Sequence, residues 1–172
     1  MIKEKIEKAL NDQIMKEEYS SRIYMAMASW CERKGFEGAA NYLYNHSDEE
    51  RMHMMKLVHF LNDRGGTTKL MKMDTTNVDY KSLKKKKKKI LDHEVYISNS
   101  INEIYGLCMD EKDYTTGNFM QWYINEQIEE ESTMNAVLDK ISLAGDQKGG
   151  LFHIDKELGS LSAERPAEET AE

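Results

Sequence analysis

Apolar residues recur with a period near 3.6 in four long stretches of this chain, as in helices that bury one face. The first stretch runs from about Lys3 to Gly35, with Ile6, Leu10, Gln13, Glu17, Ser20, Tyr24, Met27 and Cys31 in register. The second runs from about Phe36 to Asp63 through Leu43, Ser47, Glu50, Met54, Leu57 and Leu61, and Arg64-Gly65-Gly66 reads as its stop. The third, from about Ser82 to Lys112, carries Ile90, Glu94, Ile97, Ile101, Ile104 and Cys108. The fourth begins between Tyr114 and Gly117, carries Phe119, Tyr123, Gln127, Glu130, Met134, Val137 and Ile141, and stops at Ala144-Gly145.

The connections predict the topology. The first two helices join tightly at Lys34-Gly35-Phe36, as an antiparallel hairpin does. The segment from about Gly65 to Lys81 has no period. Fully extended it reaches about 56 Å, more than the roughly 42 Å of a helix of about 28 residues. It is therefore expected to cross the length of the bundle, leaving helices two and three parallel. The predicted fold is all-α: a four-helix bundle with one long crossover, followed by a short fifth helix. The expected divisions are residues 1–145 for the bundle, 146–162 for the short helix and 163–172 for a disordered acidic tail. The short helix, read from Leu151 to Leu161, is too brief to stand alone and must dock on the bundle or another subunit.

Within this pattern, the four glutamates Glu17, Glu50, Glu94 and Glu130 interrupt the apolar stripes of their own helices. Buried ionised carboxylates are costly unless paired or bound to metal. The spacing from Glu17 to Glu50 equals that from Glu94 to Gln127, at 33 residues. His53 follows Glu50 by three, on the same helix face, and Glu130 follows Gln127 by three. Converging carboxylates with one imidazole predict a two-metal site, and the mixed oxygen and nitrogen ligands suit iron or manganese. Tyr24, two turns after Glu17, is placed to hydrogen-bond a ligand or to donate an electron; core packing with a satisfied hydroxyl is its alternative. Glu49, Glu126 and Glu129 adjoin the main set and predict a third metal position, with a solvated acidic face as the alternative. His46, His59, His93 and His153 read as surface or packing residues.

Composition narrows the function. The 172 residues suffice for one domain with a real core. A net charge of −7 argues against nucleic acid as partner and suits a cation. Cys31 and Cys108 lack metal-ligand spacing and read as buried free thiols in a reducing compartment. The first residues, Met1 to Ile14, lack the apolar core of a signal peptide, and no apolar run approaches membrane-spanning length. A cytoplasmic protein with no membrane partner is expected. Six consecutive lysines, Lys84 to Lys89, place charge where the third stripe should be apolar. A solvated first turn with snorkelling lysines is one reading; a basic contact patch and an engineered or unresolved stretch are others.

The motifs EEYSSRIYMA (17–26), SDEERMH (47–53), LDHE (91–94) and NEQIEEE (125–131) resemble those of the bacterial non-haem ferritins, a likeness spanning Lys3 to about Leu161. Bacterioferritin resembles the chain less. It sets a haem-binding methionine directly after the bridging glutamate, where this chain has Arg51, and Glu-x-x-His where this chain has Gln127-x-x-Glu130. No haem is therefore expected. The resemblance implies a hollow homo-oligomeric shell of 24 subunits that oxidises Fe(II) with O2, or with H2O2 as an alternative oxidant, and stores ferric mineral. It assigns Glu17, Glu50 and His53 to one iron, and Glu50, Glu94 and Glu130, with Gln127 beside them, to a second. Glu49, Glu126, Glu129 and Glu130 resemble a third site. Asp110, Glu111 and Asp113 are candidates for the iron entry route. The lysine run departs from the family and keeps a different class open, a metal-independent helical cage.

Overall fold

The computed structural model describes residues 1–76, 83–144 and 148–164. The side chains of Lys84 to Lys89 and the tail from residue 165 lie outside the described residues, and so do the expectations attached to them. The described residues form five helices and no strand: α1 Glu4–Arg33, α2 Glu37–Asp63, α3 Leu83–Asp110, α4 Tyr114–Ala144 and α5 Lys148–Glu164. The boundaries of the first four fall within three residues of those read from the apolar period. The fifth extends beyond the Leu151 to Leu161 core read for it at both ends.

Helix ends fix the directions. Gly35 (φ 79°) and Gly65 (φ 75°) take the left-handed conformation that glycine alone enters without a Cβ penalty. Phe36 N–H then donates to the Cys31 carbonyl at 3.0 Å, turning α1 sharply into α2. Ile2 N–H donates to the Arg64 carbonyl, so the start of α1 lies beside the end of α2. Lys3 and Lys5 reach Glu111 at the end of α3. Arg64 pairs with Asp113 at the start of α4. Helices α2 and α3 therefore run parallel, and the connecting segment travels along α1: Thr67 N–H donates to Glu7, Lys69 N–H to Asn11 and Met71 N–H to Met15 Sδ.

The apolar interior divides into two clusters. One joins Ile6, Leu10 and Ile14 to Leu57, Leu61, Ile97, Ile101 and Met120 at the end where the chain begins. The other joins Met27, Cys31, Ala39, Met134 and Ile141 to Ile154 and Leu158 of α5 at the opposite end. Helix α5 docks closely on the first turns of α2. Asp155 Oδ1 accepts from Ala39 N–H at 2.9 Å and caps that helix start. Gly38 permits the approach, since a Cβ there would stand 1.9 Å from the Asp155 carbonyl oxygen. Between the two clusters lies a buried polar layer at Glu17, His46, Glu50, His53, Glu94, Gln127 and Glu130.

Candidate metal centre

Each of the four bundle helices contributes to that layer at the point where its apolar stripe breaks. Glu17, Glu50 and His53 offer ligand atoms that lie within 4.8 Å of one another. His53 Nδ1 is 3.8 Å from Glu50 Oε2. Glu17 accepts a hydrogen bond from Gln13 Nε2 at 2.7 Å through Oε1, while Oε2 is buried with no fixed donor. Burial, opposed in part by that hydrogen bond, pushes the Glu17 carboxyl up to about 7. Burial followed by the charges of Glu17 and Glu94 raises Glu50 well above the usual carboxylate range. Two buried carboxyls that resist ionisation and share a hydrogen bond through the proton that one keeps fit a cation, which would replace that proton and neutralise both.

Glu94, wholly buried, stands opposite. Burial raises its carboxyl, and donors offset part of that rise. The Tyr24 hydroxyl donates to Oε1, and Gln127 Nε2 lies 3.4 Å from Oε2 and 3.2 Å from Ser98 Oγ. Burial and the neighbouring Glu94, Glu50 and Glu130 charges hold the Tyr24 hydroxyl well above its ordinary range, so it keeps its proton and remains a donor. The indole of Trp122 meets the His53 ring edge-on at 5.2 Å, and the Tyr123 hydroxyl donates to the His53 carbonyl at 2.7 Å. The first contact holds the imidazole, and the second holds the backbone that carries it.

Glu130 belongs to a second group, His46, Glu49 and Glu130, whose ligand atoms also lie within 4.8 Å of one another. Of the two readings of His46, surface or packing, burial excludes the first; the ring packs against Tyr24 and Tyr42, and it also lies among groups that could hold a metal. Its Nδ1 is 2.8 Å from the Tyr42 carbonyl oxygen, which only accepts, so in the neutral ring Nδ1 carries the proton. The lone pair is then on Nε2, 3.7 Å from Glu130 Oε2. A carbonyl fixing the tautomer of a histidine is the usual arrangement behind a metal-binding imidazole. Of the carboxylates read as a third position, Glu49 and Glu130 fall in this group; Glu126 is half-buried and Glu129 exposed, and neither joins it.

The entry candidates are largely committed elsewhere. Asp113 accepts from Arg64 and from the backbone and hydroxyl of Thr116, capping α4; these bonds outweigh burial and hold it below its ordinary range. Glu111 is tied to Lys3 and Lys5. Asp110 is exposed. Both cysteines are buried, and neither is in a disulfide.

Residues 7–144 match the ferritin family, described as a ferritin-like domain. The chain is 44% identical to a bacterial non-heme ferritin-like protein of Haemophilus influenzae, over 94% of its own length and 98% of the relative's. It is 40% identical to a bacterial non-heme ferritin of Escherichia coli, over 95% and 99%. Among solved structures, an open-pore ferritin from the archaeon Archaeoglobus fulgidus superposes with a TM-score of 0.90 at 38% identity, covering 92% of this chain and 98% of that one. No described helix is long and apolar enough to cross a membrane. Matched by the family over residues 7–144 and by these relatives over nearly their whole length, the chain belongs to the ferritin family.

Proposed function

We propose that this chain is the subunit of an iron-storage ferritin that oxidises Fe(II) with O2 inside its own bundle and keeps the ferric product in a hollow 24-subunit shell. The carrying observation is the buried Glu17–Glu50–His53 group, whose carboxyls are held away from ionisation until a cation arrives. Glu17 and His53 serve one Fe(II), Glu94 and Glu130 the other, and Glu50 lies between them. Gln127 supplies a neutral amide where a bridging carboxylate would add charge, so the two positions differ in affinity. A third cation is taken by His46, Glu49 and Glu130, with Glu126 and Glu129 on its outer side. Haem has no part in this reading.

The reaction balances as two Fe(II) and one O2 with two protons, giving two Fe(III) and one H2O2. Glu17 and Glu50 release protons when the cations bind and so supply them beside the oxidant. Tyr24 holds Glu94 through its hydroxyl and keeps that carboxylate from turning away. Twenty-four copies of a chain of net charge −7 give the shell roughly −170, which concentrates Fe(II) around it. The buried thiols, outside any disulfide, suit the reducing cytoplasm.

Aerobic Fe(II) addition tests this, with O2 uptake and ferric absorbance as readouts. Glu50→Ala combined with His53→Ala is expected to slow initial oxidation by at least about 100-fold. Mass photometry should still find a particle of roughly 480 kDa built from the 20.0 kDa chain. An unchanged rate in an assembled variant would overturn the assignment, and a monomer or dimer as the only wild-type species would overturn the shell.

A further inference from the structure

Beside the metal layer, α1, α3 and the connecting segment enclose an open groove of about 410 Å³. Lys16, Tyr19, His93 and Tyr96 line it from the helices; Met15, Met71, Lys72, Met73 and Asp74 complete it. Lys16 and His93 directly precede Glu17 and Glu94 in the chain. Ser20 Oγ meets His93 Nε2 at 2.7 Å, and the Tyr19 ring meets the His93 ring edge-on. Three thioethers, those of Met15, Met71 and Met73, therefore share a groove with the residues that precede Glu17 and Glu94. None of the three has a role in the ligand set.

We propose that this groove is a sacrificial modification site, in which Met71 and Met73 are oxidised to the sulfoxide by peroxide leaving the metal centre between α1 and α3. It rests on the ferroxidase reading, which supplies the H2O2. In the step, a thioether lone pair attacks one peroxide oxygen, an S–O bond forms and the O–O bond breaks. Sulfur loses two electrons, the second oxygen takes a proton and leaves as water, and the hydroxyl proton on the new S–O group passes to solvent. The Lys16 and Lys72 ammoniums in the same groove are hydrogen-bond donors that stabilise the departing oxygen as charge builds on it. Met15 reacts more slowly, because its sulfur already accepts the Met71 N–H at 3.2 Å. Sulfoxide formation is reversible by reductases, so the groove renews itself.

The chain carries its own controls. Met25 and Met52 are 50% and 40% exposed, against 49% for Met71, and neither lines the groove. The assembled protein is cycled with Fe(II) and O2 in the presence of catalase, and sulfoxide at each methionine is read by peptide mass spectrometry. A metal-free sample treated with bulk H2O2 gives the baseline selectivity. Met71 and Met73 are expected to oxidise at least about threefold faster than Met25 and Met52 during turnover, beyond any bias in the baseline. Equal rates, or a bias that catalase removes or that bulk peroxide reproduces, would overturn the proposal. Oxygen uptake is recorded throughout: without uptake the ferroxidase reading fails and this one with it, whereas uptake without the bias sinks the groove alone.

Discussion

Glu17→Gln is expected to stabilise the metal-free protein while impairing its chemistry. Burial first of all lifts the Glu17 carboxyl from 4.5 to about 7. At about 1.4 kcal/mol per unit, ionising it in the folded chain costs about 3 kcal/mol. The sign follows from proton binding. Below pH 4.5 the group is protonated in folded and unfolded chains alike, and nothing is lost. Between 4.5 and 7 the unfolded chain has released its proton while the folded chain keeps it, so stability falls as pH rises; above 7 the loss is complete. Glutamine keeps the shape, still accepts from Gln13 through Oε1, and carries no charge. The variant should gain about 3 kcal/mol at pH 8 and under about 1 kcal/mol at pH 5. For a chain of this size the pH 8 gain is roughly 6–12 °C in Tm. Calorimetry of chelator-treated protein at matched subunit concentration reads both values. With Zn(II) added the order should reverse, since only the wild-type ligand set is intact and ligand binding adds stability by mass action. A variant no more stable than wild type at pH 8, or a gain of the same size at both pH values, would refute the reasoning.

His46→Ala should abolish the weakest of the cation sites in a calorimetric Zn(II) titration, costing about 10-fold or more in affinity there and leaving the two tighter sites in place. Tyr24→Phe removes the hydrogen bond to Glu94 at a stability cost of about 1 kcal/mol; Fe(II) oxidation should slow by less than about tenfold, with the shell intact by size-exclusion chromatography. Gly38→Ala forces a Cβ against the Asp155 carbonyl and should lower Tm through a loss of about 1–3 kcal/mol, with α5 becoming open to limited proteolysis. Asp113→Ala strands Arg64 and uncaps α4, a combined loss of about 3–5 kcal/mol measurable by denaturant unfolding.

The four long helices were legible because their signal is repeated. Each stripe is sampled by six to eight residues, and a slip of one residue would expose all of them. Glu17, Glu50, Glu94 and Glu130 stood out for the converse reason: each occupies a stripe position that solvation cannot reach. His46 was harder to see because it flanks the stripe of α2 between Leu43 and Ser47. A signal was nevertheless present. His46-x-x-Glu49 mirrors Glu50-x-x-His53 on the same helix, so two histidine–carboxylate pairs stand back to back. Glu129 illustrates the opposite limit. Its spacing permits a place beside Glu126 and Glu130, yet it is exposed, because residues three and four apart share only one side of a helix and the inward side is already filled by Gln127 and Glu130. Asp113 looked like a pore carboxylate because sequence does not reveal that Arg64, 49 positions earlier, folds against it.

The acidic layer is tolerable because of where it sits. An apolar cluster on each side grips the same helices, so the backbone positions of the ligands are fixed from both ends and do not depend on a cation. Burial, with repulsion from neighbouring carboxyls added to it, is then answered by protonation rather than by separation of the helices, and Glu17, Glu50 and Glu94 all shift upward. The same strain that weakens the metal-free bundle strengthens cation binding, because neutralising the layer recovers it. A further carboxylate at position 127 would deepen both effects. Gln127 instead donates toward Glu94 and adds no charge to relieve. The amide thus limits how unstable the empty layer becomes and, on the proposed ferroxidase reading, makes the two metal positions unequal.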